Sequence, residues 1–477
     1  MNDALWTGLE ILGALGARAH GGLPDTISGV SIDTRTIAPG DLFCALAGKR
    51  DGHEFVADAL AKGAAAALVD EAHFEALSHL GPLLVAPDVL EAMRAAARAA
   101  RARTKARIVA VTGSVGKTGT KEALRLALGK QGRTHAAVAS YNNHWGVPLT
   151  LMRMPRDSDF GIFEIGMSAP GEIAALVELV RPHAAIVTTV EPVHLEFFPS
   201  VEAIADAKGE IFSAIEPGGA AIINRDNPHF ERLKLHAAAS SAGSLVSFGE
   251  HEEADVRAER IILKSDMTIV EARVFGEAIT YRLGSPGRHV ALNSLAVMAA
   301  VKALGADIAL AGLGLGDLAP IAGRGERTLM KGPGGTITLV DESFNANPAS
   351  MRAAINTLCE ADVGLRGRRI AVLADMLELG PDGPALHRAL GEFVAESGVN
   401  LVFACGPLMK NLWQALPPEM RGRYAQTPAE LEPELFGELR GGDVVMVKGS
   451  KSTYVSRIVT TLKERYPREA AHAEADM

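Results

Sequence analysis

Residues 107–118 read RIVAVTGSVGKT, an apolar, β-rich run that breaks at Gly113 and ends in Gly116-Lys117-Thr118, with the helix-prone GTKEAL following. A buried strand that delivers a glycine turn into a helix is the layout of a phosphate-binding loop. Glycine lets backbone N–H groups approach phosphate oxygens without a Cβ in the way, and the helix N-terminus adds its partial positive charge. Lys117 is then expected on the terminal phosphates and the Thr118 hydroxyl on Mg²⁺. The spacing is G-x-x-G-K-T, two residues shorter than the common G-x-x-x-x-G-K-[ST], because Val111 stands at the first glycine position. The stretch predicts an α/β fold built around a nucleoside triphosphate held by Gly113, Ser114, Val115, Gly116, Lys117, Thr118 and Gly119.

Working outward, apolar strands at 108–111, 160–165, 185–190 and 220–223 alternate with helical stretches, the pattern of a parallel sheet. A hairpin is expected over 267–283 and a helix over 288–304. Before this unit, short strands at 29–32, 41–46, 65–69 and 83–86 alternate with helices at 55–61 and 89–101. After it, a Gly/Pro-rich patch over 323–335 marks a boundary. Strands at 336–340, 370–374, 401–404 and 444–447 follow as a Rossmann-like sheet. The expected domains are 1–103, 104–322 and 323–477, in line with about 150 residues per domain, with the polar end after 468 read as disordered.

Composition bounds the function. A net charge of −9 argues against nucleic acid or an anionic membrane as the main partner. Arg94, Arg98, Arg101, Arg103, Lys105 and Arg107 form a local basic run on an alanine-rich helix, read here as a solvated face. Cys44, Cys359 and Cys405 show no metal-ligand spacing and fit reduced thiols in a cytoplasm. Residues 5–15 followed by Ala17-Arg18-Ala19 imitate a secretion signal, but Asp3 and Glu10 are acidic and no basic residue leads. An amphipathic first helix is expected instead. No apolar run is long enough to span a membrane.

Polar groups at strand ends carry the chemistry. Glu164 ends a strand where a doubly wound sheet places functional groups, and a carboxylate suits a hard cation. His194 follows another strand in VEPVHLEFF; alone it reads as structural. Asn142 and Asn143, in the turn-prone YNNHWGVP, are expected to bind substrate, as are Asn345 and Asn347 further along the chain, while Lys208, in AIADAKGEIF, reads by composition as a surface lysine. The third unit adds DESFNANP with Asn345 and Asn347, LADMLELG, and VKGSK, three strand ends that together predict a binding face.

Together, TGSVGKT, EIGM, VEPVHLE, DAKGEIF and GRHVALNSLAV resemble the Mur ligases, ATP-dependent enzymes that extend the peptide of the bacterial cell-wall precursor. The resemblance covers about residues 5–465. DESFNANP, LADMLELG and VKGSK are most similar to the branch that joins D-alanyl-D-alanine to UDP-N-acetylmuramoyl-tripeptide. That resemblance implies ATP and Mg²⁺, with Lys117, Lys208, His194 and Glu164 catalytic. It implies metal ligation by Thr118, Glu164, His194 and Lys208, the last as a CO₂-derived carbamate. Asn293 matches the adenine contact, four residues after His289, and Arg324 and Asp341 match groups that reach the nucleotide from across the cleft. Ser31, Asp33, Thr34 and Arg35 match the stretch near the uridine diphosphate. Phe344 departs from a common tyrosine and Ala374 from a usual glycine, while GRGER offers Arg327 as a rival to Arg324. Asp226-Asn227-Pro228-His229 imitates the D-N-P-R signature of the diaminopimelate-adding branch, but in the wrong domain and without the arginine, and is read as a turn.

A cytoplasmic, monomeric ligase acting on small molecules is the leading expectation. The alternatives are a related ligase adding diaminopimelate or lysine and, in a different class, a P-loop ATPase working as a conformational switch.

Overall fold

The computed structural model describes residues 4–469 apart from Lys49, His194 and Ser265. Among these residues the chain forms three α/β units, each around its own sheet. In the first, strands Leu83–Ala86, Ala66–Asp70, Asp41–Cys44 and Gly29–Ser31 run parallel, and Arg18–His20 closes one edge antiparallel. The first helix, Gly8–Leu15, begins at a capping box between Thr7 and Glu10 and buries Ile11 and Leu15, the expected amphipathic pattern. Among the described residues, no helix is long and apolar enough to cross a membrane.

The central sheet has nine strands. Its parallel part runs Ser244–Gly249, Ala220–Asn224, Ala184–Val187, Arg107–Thr112, Phe160–Glu164, Thr134–Ala136. The strand order turns back at Arg107–Thr112, which has Phe160–Glu164 on one side and Ala184–Val187 on the other. Such a switch point opens a crevice at the strand C-termini. The hairpin expected over 267–283 forms as Thr268–Val274 and Glu277–Leu283, and it extends this sheet through Val256–Leu263. Helix Arg288–Ala303 buries Leu295, Met298 and Val301 against it.

The third sheet runs Glu326–Gly332, Gly335–Glu342, Val444–Lys448, Arg369–Ala374, Leu401–Cys405, Arg421–Ala425. The three polar strand ends read from sequence belong to adjacent parallel strands and meet at one edge, as expected. The 323–335 patch is only partly a boundary. Residues 326–332 form an edge strand with Thr328 and Met330 turned inward, and Gly334 at φ 75° makes the turn into its partner. The far side of this edge strand is also covered: Lys331 N–H donates to Pro467 C=O and Glu469 N–H to Leu329 C=O, each at 2.9 Å. The end read as disordered lies, from residue 470, outside the described residues.

The basic run is the solvated face expected only in part: Arg98 and Lys105 are exposed, but Arg101, Arg103 and Arg107 are engaged within the protein. Arg101, 6% exposed, donates to the carbonyls of Val180 and Arg181 and to Glu216. Arg103 lies over the Trp6 ring and reaches Met154 C=O, and Arg107 reaches Leu304 C=O. Alanines let the helix pack closely, so its arginines become ties between units.

Candidate active site

Arg107–Thr112 hands the chain to Gly113, whose φ of 151° and crowded position exclude a side chain: a Cβ there would lie 1.8 Å from Thr188 Oγ1. Gly116, at φ 86°, is the N-cap of helix Lys117–Gly129. Thr188 Oγ1 donates to Val115 C=O at 2.6 Å, and Ser114 N–H donates to Thr189 C=O, pinning the loop to the neighbouring strand end. Lys117 Nζ folds back onto Gly113 C=O at 2.6 Å. Burial holds its ammonium below the usual lysine range; Arg324 adds repulsion and Glu164 opposes it.

Glu164, 3% exposed, ends the adjacent strand. Thr118 Oγ1 donates to its Oε2 at 2.9 Å and Asn142 Nδ2 to its Oε1 at 2.7 Å. A hydroxyl and an oriented carboxylate beside a phosphate loop are a donor set of hard oxygens, which fits Mg²⁺. Asn143 turns inward on its own loop, with Oδ1 accepting Gly146 N–H at 2.9 Å.

Lys208 corrects the composition-based reading. It sits on helix Val201–Gly209 at 2% exposure, and burial first, then Lys117, drives its pKa well below the ordinary value. His194 lies outside the described residues. The turn reading of 226–229 holds, with Asn227 donating to Thr189 Oγ1 and Val190 C=O.

One cavity of about 1340 Å³ joins the phosphate loop, Asn142 and Glu164 to the third unit; Lys208 is absent from its lining. Residues 114–119, Asn142, Asn143, Glu164, His289, Asn293, Arg324, Asn345 and Asn347 all line it. Arg324 lies over the Phe344 ring at 4.0 Å, whereas Arg327 does not reach the cavity. Asp341 does not line it either: its Oδ1 accepts Ser343 N–H and Oγ–H. The next residue, Glu342, does, and pairs with buried Lys448 at 3.1 Å. Lys448 also donates to Asn345 C=O at 3.0 Å, and Asn347 caps helix Pro348–Cys359. Ser31, Asp33, Thr34 and Arg35 are absent from the lining. Arg35 forks onto Asp33 at the surface, and Arg153 bridges Val30 C=O to the Tyr141 ring.

Sequence reasoning missed Thr188, Glu342 and Arg94 in this lining. Thr188 and Glu342 carried the strand-end signal that marked Glu164; Arg94 carried none.

A triphosphate loop, a buried carboxylate at the switch point and a second α/β unit facing them define an ATP-dependent ligase. Residues 26–111 match the model described as Mur ligase family, catalytic domain, 111–301 the Mur ligase middle domain, and 323–451 the Mur ligase, glutamate ligase domain. The chain belongs to the Mur ligase family. Among its relatives, the UDP-N-acetylmuramoyl-tripeptide–D-alanyl-D-alanine ligase of Escherichia coli (strain K12) is 34% identical, over 92% of this chain and 94% of that one. Its namesake from Rickettsia prowazekii (strain Madrid E) is 30% identical over 90% and 94%. MurF from Acinetobacter baumannii superposes with a TM-score of 0.83 at 28% identity, covering 96% and 99%. MurF from Thermotoga maritima in complex with ADP gives 0.75 at 25% identity, covering 91% and 97%.

Proposed function

We propose that this chain joins D-alanyl-D-alanine to the terminal carboxylate of UDP-N-acetylmuramoyl-tripeptide, with ATP converted to ADP and phosphate. The observation that carries the reading is the single cavity in which Lys117, Thr118 and Glu164 face Arg324, Glu342 and Lys448 of the third unit. The relatives' names supply the substrates; the peptide is taken as alanyl, D-glutamyl and a diamino acid, diaminopimelate or lysine.

A carboxylate resists attack by an amine because it is anionic and lacks a leaving group. Transfer of the γ-phosphoryl group to the tripeptide carboxylate gives an acyl phosphate. The dipeptide amine then adds to its carbonyl, and phosphate departs from the tetrahedral intermediate. Residues 113–119 hold the phosphates, with Lys117 and Arg324 spreading their charge during transfer. Asn293 takes the adenine. Thr118 and Glu164 would hold Mg²⁺, and His194 and Lys208 as a carbamate would hold a second ion; bound metal neutralises charge between the phosphates. Asn142 orients Glu164. Asn345 and Asn347 face the incoming dipeptide, and Ser31, Asp33, Thr34 and Arg35 the uridine diphosphate. Asp341, whose Oδ1 is held by two hydrogen bonds from Ser343, is the group expected to reach the nucleotide from the third unit.

Domains of 1–103, 104–322 and 323–477 divide this work. The cavity draws on all three units of one chain, in keeping with a monomer. A cytoplasmic enzyme follows from the need for ATP, and three free thiols agree with that.

A phosphate-release assay tests the reading. Release is expected only with ATP, UDP-muramoyl-tripeptide and D-alanyl-D-alanine together. ATP turnover without either substrate, or AMP as product, overturns it.

A further inference from the structure

Arg94 stands apart from the rest of its basic run. Arg101, Arg103 and Arg107 use their guanidinium groups on backbone carbonyls of neighbouring segments, whereas Arg94 lines the large cavity. Its side chain is 30% exposed and pairs with Glu91 one turn earlier on the same helix. A pair of that kind adds little stability. It engages one nitrogen of a guanidinium that carries five N–H donors, so the fork remains able to take a second carboxylate.

The helix that carries it, Val89–Arg103, packs against helices Gly146–Met152 and Glu172–Val180. The second of these contributes Glu172, Ala175 and Leu176 to the cavity, the Glu172 carboxylate accepting Ser168 N–H, and the loop before it contributes Ser168 and Gly171. The cavity thus has an arm between the first unit and the central one. Its other lysine and arginine groups, Lys117, Arg324, Lys448 and Lys451, sit on the phosphate loop or on the third unit and the segment leading into it. Among the described residues, Arg94 supplies the arm's lysine-or-arginine charge.

Resting on the ligase reading, the arm receives the peptide of the UDP-muramoyl substrate. A glutamyl residue within a peptide links through one carboxyl and keeps the other free. We propose that Arg94 binds this free glutamyl carboxylate, holding the peptide while the next residue's carboxylate lies at the phosphate loop. Arg94 is a substrate-positioning group that touches no reacting atom.

The test uses the full chain with ATP, D-alanyl-D-alanine and two UDP-muramoyl-tripeptides, one with the free glutamyl carboxylate and one with a carboxamide there. Arg94→Gln is expected to raise KM for the carboxylate peptide about ten-fold. Its kcat and its KM for ATP and dipeptide stay near the parent's, as does KM for the carboxamide peptide. Arg94→Lys, which keeps charge but loses the fork, falls between. An unchanged KM for the carboxylate peptide in Arg94→Gln, or an equal rise for both peptides, overturns the assignment and leaves the ligase reading standing. A parent chain that turns over neither peptide overturns both.

Discussion

Gly116 and Gly119 lie three residues apart and should answer an added methyl group in opposite ways. A Cβ on Gly116 would lie 2.5 Å from Asn293 Nδ2, on a backbone with φ of 86°. Gly119 is inside the helix and its Cβ would meet open space. Gly116→Ala is therefore expected to lower both melting temperature and ATP affinity. Gly119→Ala should raise the melting temperature by about 2 °C, since alanine is better than glycine in a helix by roughly 0.5–1 kcal/mol. It should still weaken ATP binding, because that open space is where phosphates would lie. Calorimetry with and without ATP separates the two effects; unaltered ATP affinity in Gly119→Ala would remove that residue from the phosphate contacts.

Lys208 supports a second prediction at this scale. Carbamylation needs a neutral amine, and burial beside Lys117 lowers the lysine pKa in the required direction. With ¹³C-bicarbonate a carbamate signal should appear and be lost in Lys208→Ala. That variant should lose about a hundred-fold or more in turnover and regain part of it with short carboxylates. Parental turnover in Lys208→Ala would end the idea. Nothing in AKGEIF announces this burial, since it arises from how helix Val201–Gly209 packs. Glu164 was legible because a carboxylate closing an apolar strand conflicts with its surroundings, and such conflicts mark sites.

At the scale of elements, His73 ties the helix Glu71–Leu77 to the loop before Val56–Ala61. Its Nδ1 meets Asp70 Oδ1 at 2.7 Å, its Nε2 meets Asp51 Oδ2 at 3.2 Å, and its ring stacks on His53 at 3.9 Å. The hydrogen bond to Asp70 raises the His73 pKa, and charge on Asp70 and Asp51 adds to it. A raised pKa means stabilisation that is complete below the ordinary imidazole value and lost as pH rises through the raised one. Asp51 is lowered by bonds from His53, and Asp70 is lowered by His73 against the effect of burial, so their part is lost in acid. His73→Gln should therefore melt about 2 °C below the parent at pH 6, with the gap closing by about pH 9. A gap independent of pH would show that packing, not charge, holds the contact.

Elements also show where sequence reading stops. Central parallel strands were legible because strands buried on both faces read as continuous apolar runs. Thr134–Ala136 and Glu326–Gly332 are edge strands whose half-buried, polar or glycine-bearing residues give no such run. Arg101 and Arg103 of Val89–Arg103 were misread, while Arg98 is exposed as read, because helical periodicity cannot tell water from a polar interface with another unit.

For the whole molecule, the cavity exceeds the roughly 300–1,000 Å³ of a single-ligand pocket; all three units line it, the central and third being joined near Arg324. The central and third units also touch where Glu196 N–H meets Glu378 C=O at 3.4 Å. Water must be kept from an acyl phosphate, so the third unit should close over bound substrates. The radius of gyration from small-angle scattering should fall on adding a non-hydrolysable ATP analogue and the UDP-tripeptide together. An unchanged radius would count against closure.

The edge strand Glu326–Gly332 carries a consequence for handling the protein. Both its sides are paired only because Pro467 and Glu469 return to it. A chain stopped at Tyr466, which keeps that buried core residue, would present a bare row of N–H and C=O groups, a template for intermolecular strand addition. Such a truncated chain should keep its fold by circular dichroism yet scatter light increasingly with concentration and time, while the full chain stays clear. An affinity tag fused immediately after Tyr466 would carry the same hazard; one placed at the other terminus leaves the seam intact.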